Sequence, residues 1–231
     1  MARRPFPSFV ELWNKHVLLY SEVFSIALQE LSESDSIAGD EDAISERLCL
    51  LLNWTCYDIY KSRNQELSTP CWETPNKPVN KNELKGGKIR KRPDFSCKII
   101  NPMAVSVEEY EISFHVECKL LGDPTSKTWI LNRNYVTNGI KRFDSMEHEY
   151  GKRAPSGMMI GYIISMLPEK IETDVNEYQS RYLPAYSKIH FAFNTASLFK
   201  TKQDITRKNV MPQKFELLHF WVDLRDCYNK G

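Results

Sequence analysis

The chain has 231 residues, 42% of them hydrophobic and 26% charged. That is enough for one substantial core and lies outside the composition of disordered or fibrous chains. The formal net charge is only +1, which excludes binding of nucleic acid through global charge, so any such footprint has to be local. The six cysteines, Cys49, Cys56, Cys71, Cys97, Cys118 and Cys227, form no CxxC pair, and none stands near a histidine at zinc-finger spacing, so they read as reduced thiols.

In chain order, the N-terminus "MARRPFPSFVELWNKHVLLY" is basic but has no uninterrupted apolar run, and an acid appears by Glu11. The longest apolar run, residues 158–167, is too short to span a bilayer. The expectation is a cytoplasmic protein with no membrane partner. Over residues 7–32, Val10, Trp13, Val17, Tyr20, Phe24, Leu28 and Leu31 recur at steps of three or four, which predicts a helix. A polar, acidic connection leads into a second helix through residues 43–60, with Ile44, Leu48, Leu51, Leu52 and Thr55 on its apolar face. Residues 61–90 show little periodicity and read as a long loop or a ragged first strand.

The pattern then changes to period two. Phe95, Cys97 and Ile99 alternate with Asp94, Ser96 and Lys98, and Ile112, Phe114, Val116 and Cys118 alternate with Ser113, His115, Glu117 and Lys119. Both runs read as strands with one apolar face. A helix is predicted over about residues 125–148, with Gly139 weakening it by roughly 1 kcal/mol relative to Ala and inviting close packing or a break. Residues 156–166 read as a buried strand, and 188–195 and 214–224 as further strands. The whole is one mixed α/β domain over 1–231, with a helical extension at 1–38, a core at 40–167, and C-terminal strands and loops at 168–231.

If the two alternating runs pair antiparallel with Asp94 opposite Glu117, the turn centres between Val105 and Ser106. The turn chemistry is at Asn101-Pro102. The register that puts Phe95 on the face of Val116 and Cys118 puts Asp94 on the face of Glu117 and Lys119. Two carboxylates so close repel unless neutralised, and hard oxygen ligands favour Mg²⁺, with Mn²⁺ as a substitute. The backbone carbonyl of Cys118 lies between the side chains as a further ligand. Lys119 stands beside the metal, able to orient a water or stabilise charge on a phosphate. This is a set suited to metal-assisted phosphodiester hydrolysis. The run 77–92 carries Lys77, Lys81, Lys85, Lys88, Arg90, Lys91 and Arg92 against one acid, Glu83, and leads directly into Asp94. Such cations hold backbone phosphates or simply form a solvated loop. On the following segment Asn138, Lys141 and Arg142 lie away from Ile140 and Phe143. His115 shares the Glu117 face, though a lone histidine is more often structural. GxxxxGK[ST], GxSxG and HExxH do not occur, which leaves NTPase, serine hydrolase and zincin readings without support.

Pro93-Asp94 followed by Glu117-Cys118-Lys119 resembles the PD-(D/E)XK nuclease superfamily. The resemblance implies a restriction endonuclease-like α/β core, a small mixed β-sheet flanked by helices, with the N-terminal helix as an addition. It implies that Asp94 and Glu117 hold the metal and Lys119 assists the attacking water. It further implies an acid on the preceding helix, for which Glu46 is the first candidate ahead of Glu41 and Asp42. Arg142, Asn138 and Tyr135 are implied as phosphate or lysine contacts. The expected activity is a Mg²⁺-dependent DNA endonuclease serving bacterial restriction or anti-phage defence. A homodimer or a partner protein of a defence operon would dock on the N-terminal helix. The alternative is a non-catalytic nucleic-acid-binding or assembly subunit that keeps the fold.

Overall fold

The structure, a computed structural model, describes residues 8–79, 81, 83, 84, 90–193 and 196–229. It begins with α1 (Phe9–Ser32), whose N-terminus is closed by a reciprocal Ser8–Glu11 capping box. β1 (Ile37–Ala38) leads to α2 (Glu41–Arg63), capped by the Asp40 carboxylate on the Ala43 N–H at 3.1 Å. Then follow β2 (Cys71–Trp72), β3 (Phe95–Ile100), the single-turn α3 (Val107–Tyr110) and β4 (Glu111–Leu121). After α4 (Leu131–Thr137) and a 3-10 turn (Ile140–Asp144) come β5 (Ser156–Ile163), α5 (Pro168–Tyr182), β6 (Leu198–Thr206), β7 (Lys214–Asp223) and β8 (Tyr228–Asn229).

Six strands form one mixed sheet in the order β2-β3-β4-β5-β7-β6, and β1 pairs with β8 in a separate two-stranded ribbon. β3 and β4 run antiparallel, β4, β5 and β7 parallel, and β6 antiparallel to β7. All eight residues of β5 are buried, as expected of a central parallel strand covered on both faces. On one face, α1 and α2 pack with Phe95, Cys97, Phe114, Val116, Cys118, Met158 and Ile160. On the other, α4 and α5 pack with Met159, Leu217 and Trp221. The domain is therefore a mixed α/β sandwich with helices on both sides of the sheet.

Several expected elements differ. The helix expected over 125–148 is a two-turn α4 and a 3-10 turn separated at Gly139. A Cβ there would lie 2.4 Å from the Tyr135 carbonyl and 2.5 Å from Met159 Cε, so the chain comes closer to β5 than a continuous helix with a side chain allows. The strand expected at 188–195 is absent over its described residues 188–193. The strand lies instead at Leu198–Thr206, an edge strand with Lys200, Lys202 and Asp204 exposed and the polar Gln203 among its buried positions. The C-terminal third is more than strands and loops. It contains α5, started by Pro168 at its first turn and anchored by Ile171 and Val175. The N-terminal helix packs by one face and leaves Val10, Leu18 and Ile26 exposed on the rest. Its apolar stripe from Trp13 to Leu31 is buried against the sheet, with Trp13 Nε1 donating to Ser156 Oγ at 2.9 Å. All six cysteines are free thiols. Among the described residues no helix is long and apolar enough to cross a membrane.

Candidate active site

The hairpin forms in the expected register. Phe95 pairs with Val116 and Ile99 with Ile112. One step further, this sets Asp94 opposite Glu117. Asn101 starts the turn, its side chain accepting from the Met103 N–H at 3.1 Å. β4, however, runs on to Leu121 after β3 has ended, so Cys118 and Leu120 have no partner strand on that side. Two carboxylates take the vacant positions. Asp94 Oδ2 accepts from the Cys118 N–H at 2.5 Å, and Glu41 Oε2, from the first turn of α2, accepts from the Leu120 N–H at 3.1 Å. The result is a notch in the sheet edge walled by acids and backbone.

Glu117 and Lys119 enter this notch from β4. Glu117 is completely buried and Lys119 is 7% exposed. The Lys119 ammonium lies 2.8 Å from Glu117 Oε1, 2.5 Å from Glu41 Oε1 and 2.5 Å from the Cys118 carbonyl, which engages its three N–H bonds. Arg142, at the 3-10 turn, reaches back to the same Glu117 Oε1. Glu117 Oε2 is buried with no hydrogen-bond partner. Gly139 lets this segment approach, since a Cβ there would also lie 3.3 Å from Lys119 Cγ.

The electrostatics follow from burial and crowding. Burial first, and then the charge of Glu117, push the Asp94 carboxyl well above the usual range. Burial also raises Glu117, against the pull of Lys119 and Arg142. For Lys119 burial acts to lower the pKa, but Glu117, Glu41 and Asp94 outweigh it and hold the ammonium charged. The same contest, with Glu117 as the chief attractor, leaves Arg142 raised.

Of the expected residues, Asp94, Glu117, the Cys118 backbone, Lys119 and Arg142 are brought together. Glu46 is not, because it is exposed on α2, and Glu41 stands in the cluster instead. Helical phase explains this. Glu41 continues the buried stripe of Ile44, Ser45, Leu48 and Leu52 toward the N-terminus, whereas Glu46 falls between its positions. The stripe was readable, but which end of it meets the edge of β4 was not. Asn138 and Lys141 are exposed, with Asn138 Nδ2 donating to Asn134 Oδ1 at 3.2 Å. Tyr135 is not at the site. It is buried in the core, its hydroxyl 2.7 Å from His219 Nδ1 and accepting from Trp221 Nε1 at 3.0 Å. His115 is also structural in its Nδ1, which accepts from the Gly151 N–H at 3.0 Å. In the basic run, Arg90 and Arg92 are exposed, Lys91 pairs with Glu147 at 2.5 Å and Lys77 with Glu111 at 3.1 Å, while Lys85 and Lys88 lie outside the described residues.

The donor set can be tested against a hard divalent cation. Three carboxylates and a carbonyl are the oxygen ligands such an ion takes, and the orphaned Glu117 Oε2 is a buried acceptor lacking a partner. No ready-made cage of three or more acidic, His or Cys side chains occurs among the described residues; Glu41 and Glu117 pair with Lys119, and Glu117 also with Arg142. The donor types fit such an ion, with Lys119 bridging Glu41 and Glu117 and the Cys118 N–H holding Asp94. Comparison of the chain with family models, curated proteins and solved structures finds no match in any of the three.

Proposed function

We propose that this protein is a metal-dependent DNA endonuclease of the PD-(D/E)XK type, with a restriction endonuclease-like core. The observation that carries the reading is the notch where β4 outruns β3. It gathers Asp94, Glu117, Lys119, Glu41 and the Cys118 carbonyl at one sheet edge. The small mixed sheet flanked by helices that the resemblance implies is in keeping with the order α2, β2, β3, α3, β4, α4, β5.

Asp94, Glu117 Oε2 and the Cys118 carbonyl are the groups to hold Mg²⁺ or Mn²⁺, with Glu41 beside them; bound there, the ion supplies charge neutralisation and a more acidic water. The chain's own residues do the rest. Lys119 now engages its three N–H bonds with Glu117, Glu41 and the Cys118 carbonyl; with an ion on those oxygens, the released N–H bonds would orient the attacking water and meet the developing charge on the phosphoryl oxygens. Arg142 fixes Glu117 so that one oxygen remains free. Water adds to phosphorus in line with the 3′ oxygen, which leaves with a proton, giving a 5′ phosphate and a 3′ hydroxyl. The biological role we assign is bacterial restriction or anti-phage defence, in the cytoplasm.

Supercoiled plasmid incubated with Mg²⁺, Mn²⁺ or EDTA tests this beside Asp94→Ala and Lys119→Ala. Metal-dependent nicking is expected, reduced on the order of 100-fold or more in both variants. Undiminished nicking by folded Lys119→Ala would overturn the assignment. One observation favours a second reading: Glu117 is already neutralised by Lys119 and Arg142. A non-catalytic nucleic-acid-binding or assembly subunit would bind DNA without metal and cut under no divalent ion.

A further inference from the structure

The polar face of the β3–β4 hairpin does not end at the notch. Toward the turn, the side chains of Ser96, Lys98, Ser113 and His115 continue it as the floor of a cleft of about 340 Å³. That volume falls within the ~300–1,000 Å³ range of small-ligand sites. Its walls are the segment 74–79, the end of α3 with Glu111, and a paired group of Glu83, Glu149, Lys152 and Arg153.

The floor is a row of polar side chains lining the cleft. Ser96 is 3% and His115 7% exposed. The hydroxyls of Ser96 and Ser113 have no hydrogen-bond partner among the described residues. The Gly151 N–H donates to His115 Nδ1, so that nitrogen carries no proton. The neutral ring therefore bears its N–H on Nε2, which has no partner among the described residues either. Among the described residues the one ion pair of Lys98, with Glu111, is at the 4.0 Å limit, while Glu111 is held more closely by Lys77 at 3.1 Å. Tyr110, about half exposed, forms one lip with an open ring face. Hydroxyl and imidazole donors with an ammonium suit a phosphate, and the aromatic lip suits a base.

We propose that this cleft binds one nucleotide of the substrate strand adjacent to the scissile phosphate, its phosphate on Lys98, Ser96, Ser113 and His115 and its base against Tyr110. The inference rests on the nuclease reading and extends it. His115 and Glu117 lie two residues apart on one face of β4, about 7 Å, so one extended strand spans cleft and notch.

The test measures binding of a labelled single-stranded oligonucleotide and of a free nucleoside monophosphate in EDTA, then cleavage in Mg²⁺ and Mn²⁺. The proteins are wild type, Lys98→Gln, Tyr110→Ala and the site variant Asp94→Ala. Thermal unfolding confirms that each folds. Support is oligonucleotide binding at least about fivefold weaker in Lys98→Gln and Tyr110→Ala, with the salt slope in Lys98→Gln lower by about one phosphate. Wild-type binding in both variants overturns the cleft; if cleavage is still lost in Asp94→Ala, the nuclease reading stands without it. Weakened binding with no cleavage under any metal keeps the cleft and sinks the nuclease reading. Mononucleotide bound as tightly as oligonucleotide, or no binding of either, overturns the strand assignment.

Discussion

Asp94 shows the conflict between folding and chemistry at the scale of one residue. Its carboxyl is held well above the usual range by burial and by Glu117. An acid with a raised folded pKa stabilises the fold fully below its unfolded value of about 3.9, and that advantage is lost as pH rises through the folded value. Ionising the group in the fold therefore works against folding. Asp94→Asn keeps an oxygen for the Cys118 N–H and removes the charge. It is expected to abolish metal-dependent cleavage and to raise the urea midpoint at pH 7, with the gain shrinking toward pH 4. A lower midpoint at pH 7 would show that the charge is better compensated than its surroundings suggest. Asp94, Glu117 and Lys119 were legible in sequence because a strand has period two and the turn fixed the register. Glu41 was harder to find because the angular position of α2 about its axis is set by how Ile44, Leu48 and Leu52 meet the sheet.

At the scale of the element, the break after α4 determines whether Arg142 can reach the site. Gly139 permits the close approach to Met159 and Lys119 that a side chain would block. Gly139→Ala is expected to destabilise the protein by roughly 1–3 kcal/mol through overpacking and to lower cleavage by displacing Lys119. Urea unfolding and plasmid nicking check the two effects, and a variant as stable and active as wild type would mean that the segment shifts freely. Gly139 itself was a readable warning, but the length of α4 was not. Apolar residues at helical spacing continue through Ile140 and Phe143, and the packing against β5 overrides them. β6 escaped for the opposite reason: its buried positions include the polar Gln203, so alternation by residue type understates alternation by burial.

Across the whole molecule, the half of the sheet away from the notch is tied by a buried polar chain. Tyr135 of α4 bonds His219 of β7, His219 Nε2 lies 3.1 Å from Gln203 Oε1 of β6, and Gln203 Nε2 donates to Gln179 Oε1 of α5 at 2.9 Å. Burial lowers the His219 pKa to about 3. A histidine depressed this way contributes stability above its unfolded value of about 6.5, and that contribution is lost as pH falls toward the folded value. His219→Gln is therefore expected to flatten the fall in stability between pH 6.5 and 4, by up to about 1.4 kcal/mol per pH unit. Urea unfolding across that range measures it, and coincident slopes would mean that the ring is already protonated or hydrated in the fold.

The sequence by itself determined the first two helices, the hairpin and its register, because hydrophobic periods of two and near 3.6 are local properties of the chain. Only the tertiary structure decided that β4 outruns β3, that Glu41 rather than Glu46 closes the notch, and that Tyr135 belongs to the core. Those outcomes depend on where a strand loses its neighbour and on which face of a helix meets the sheet. They arise from contacts between residues far apart in the chain, which no local pattern contains.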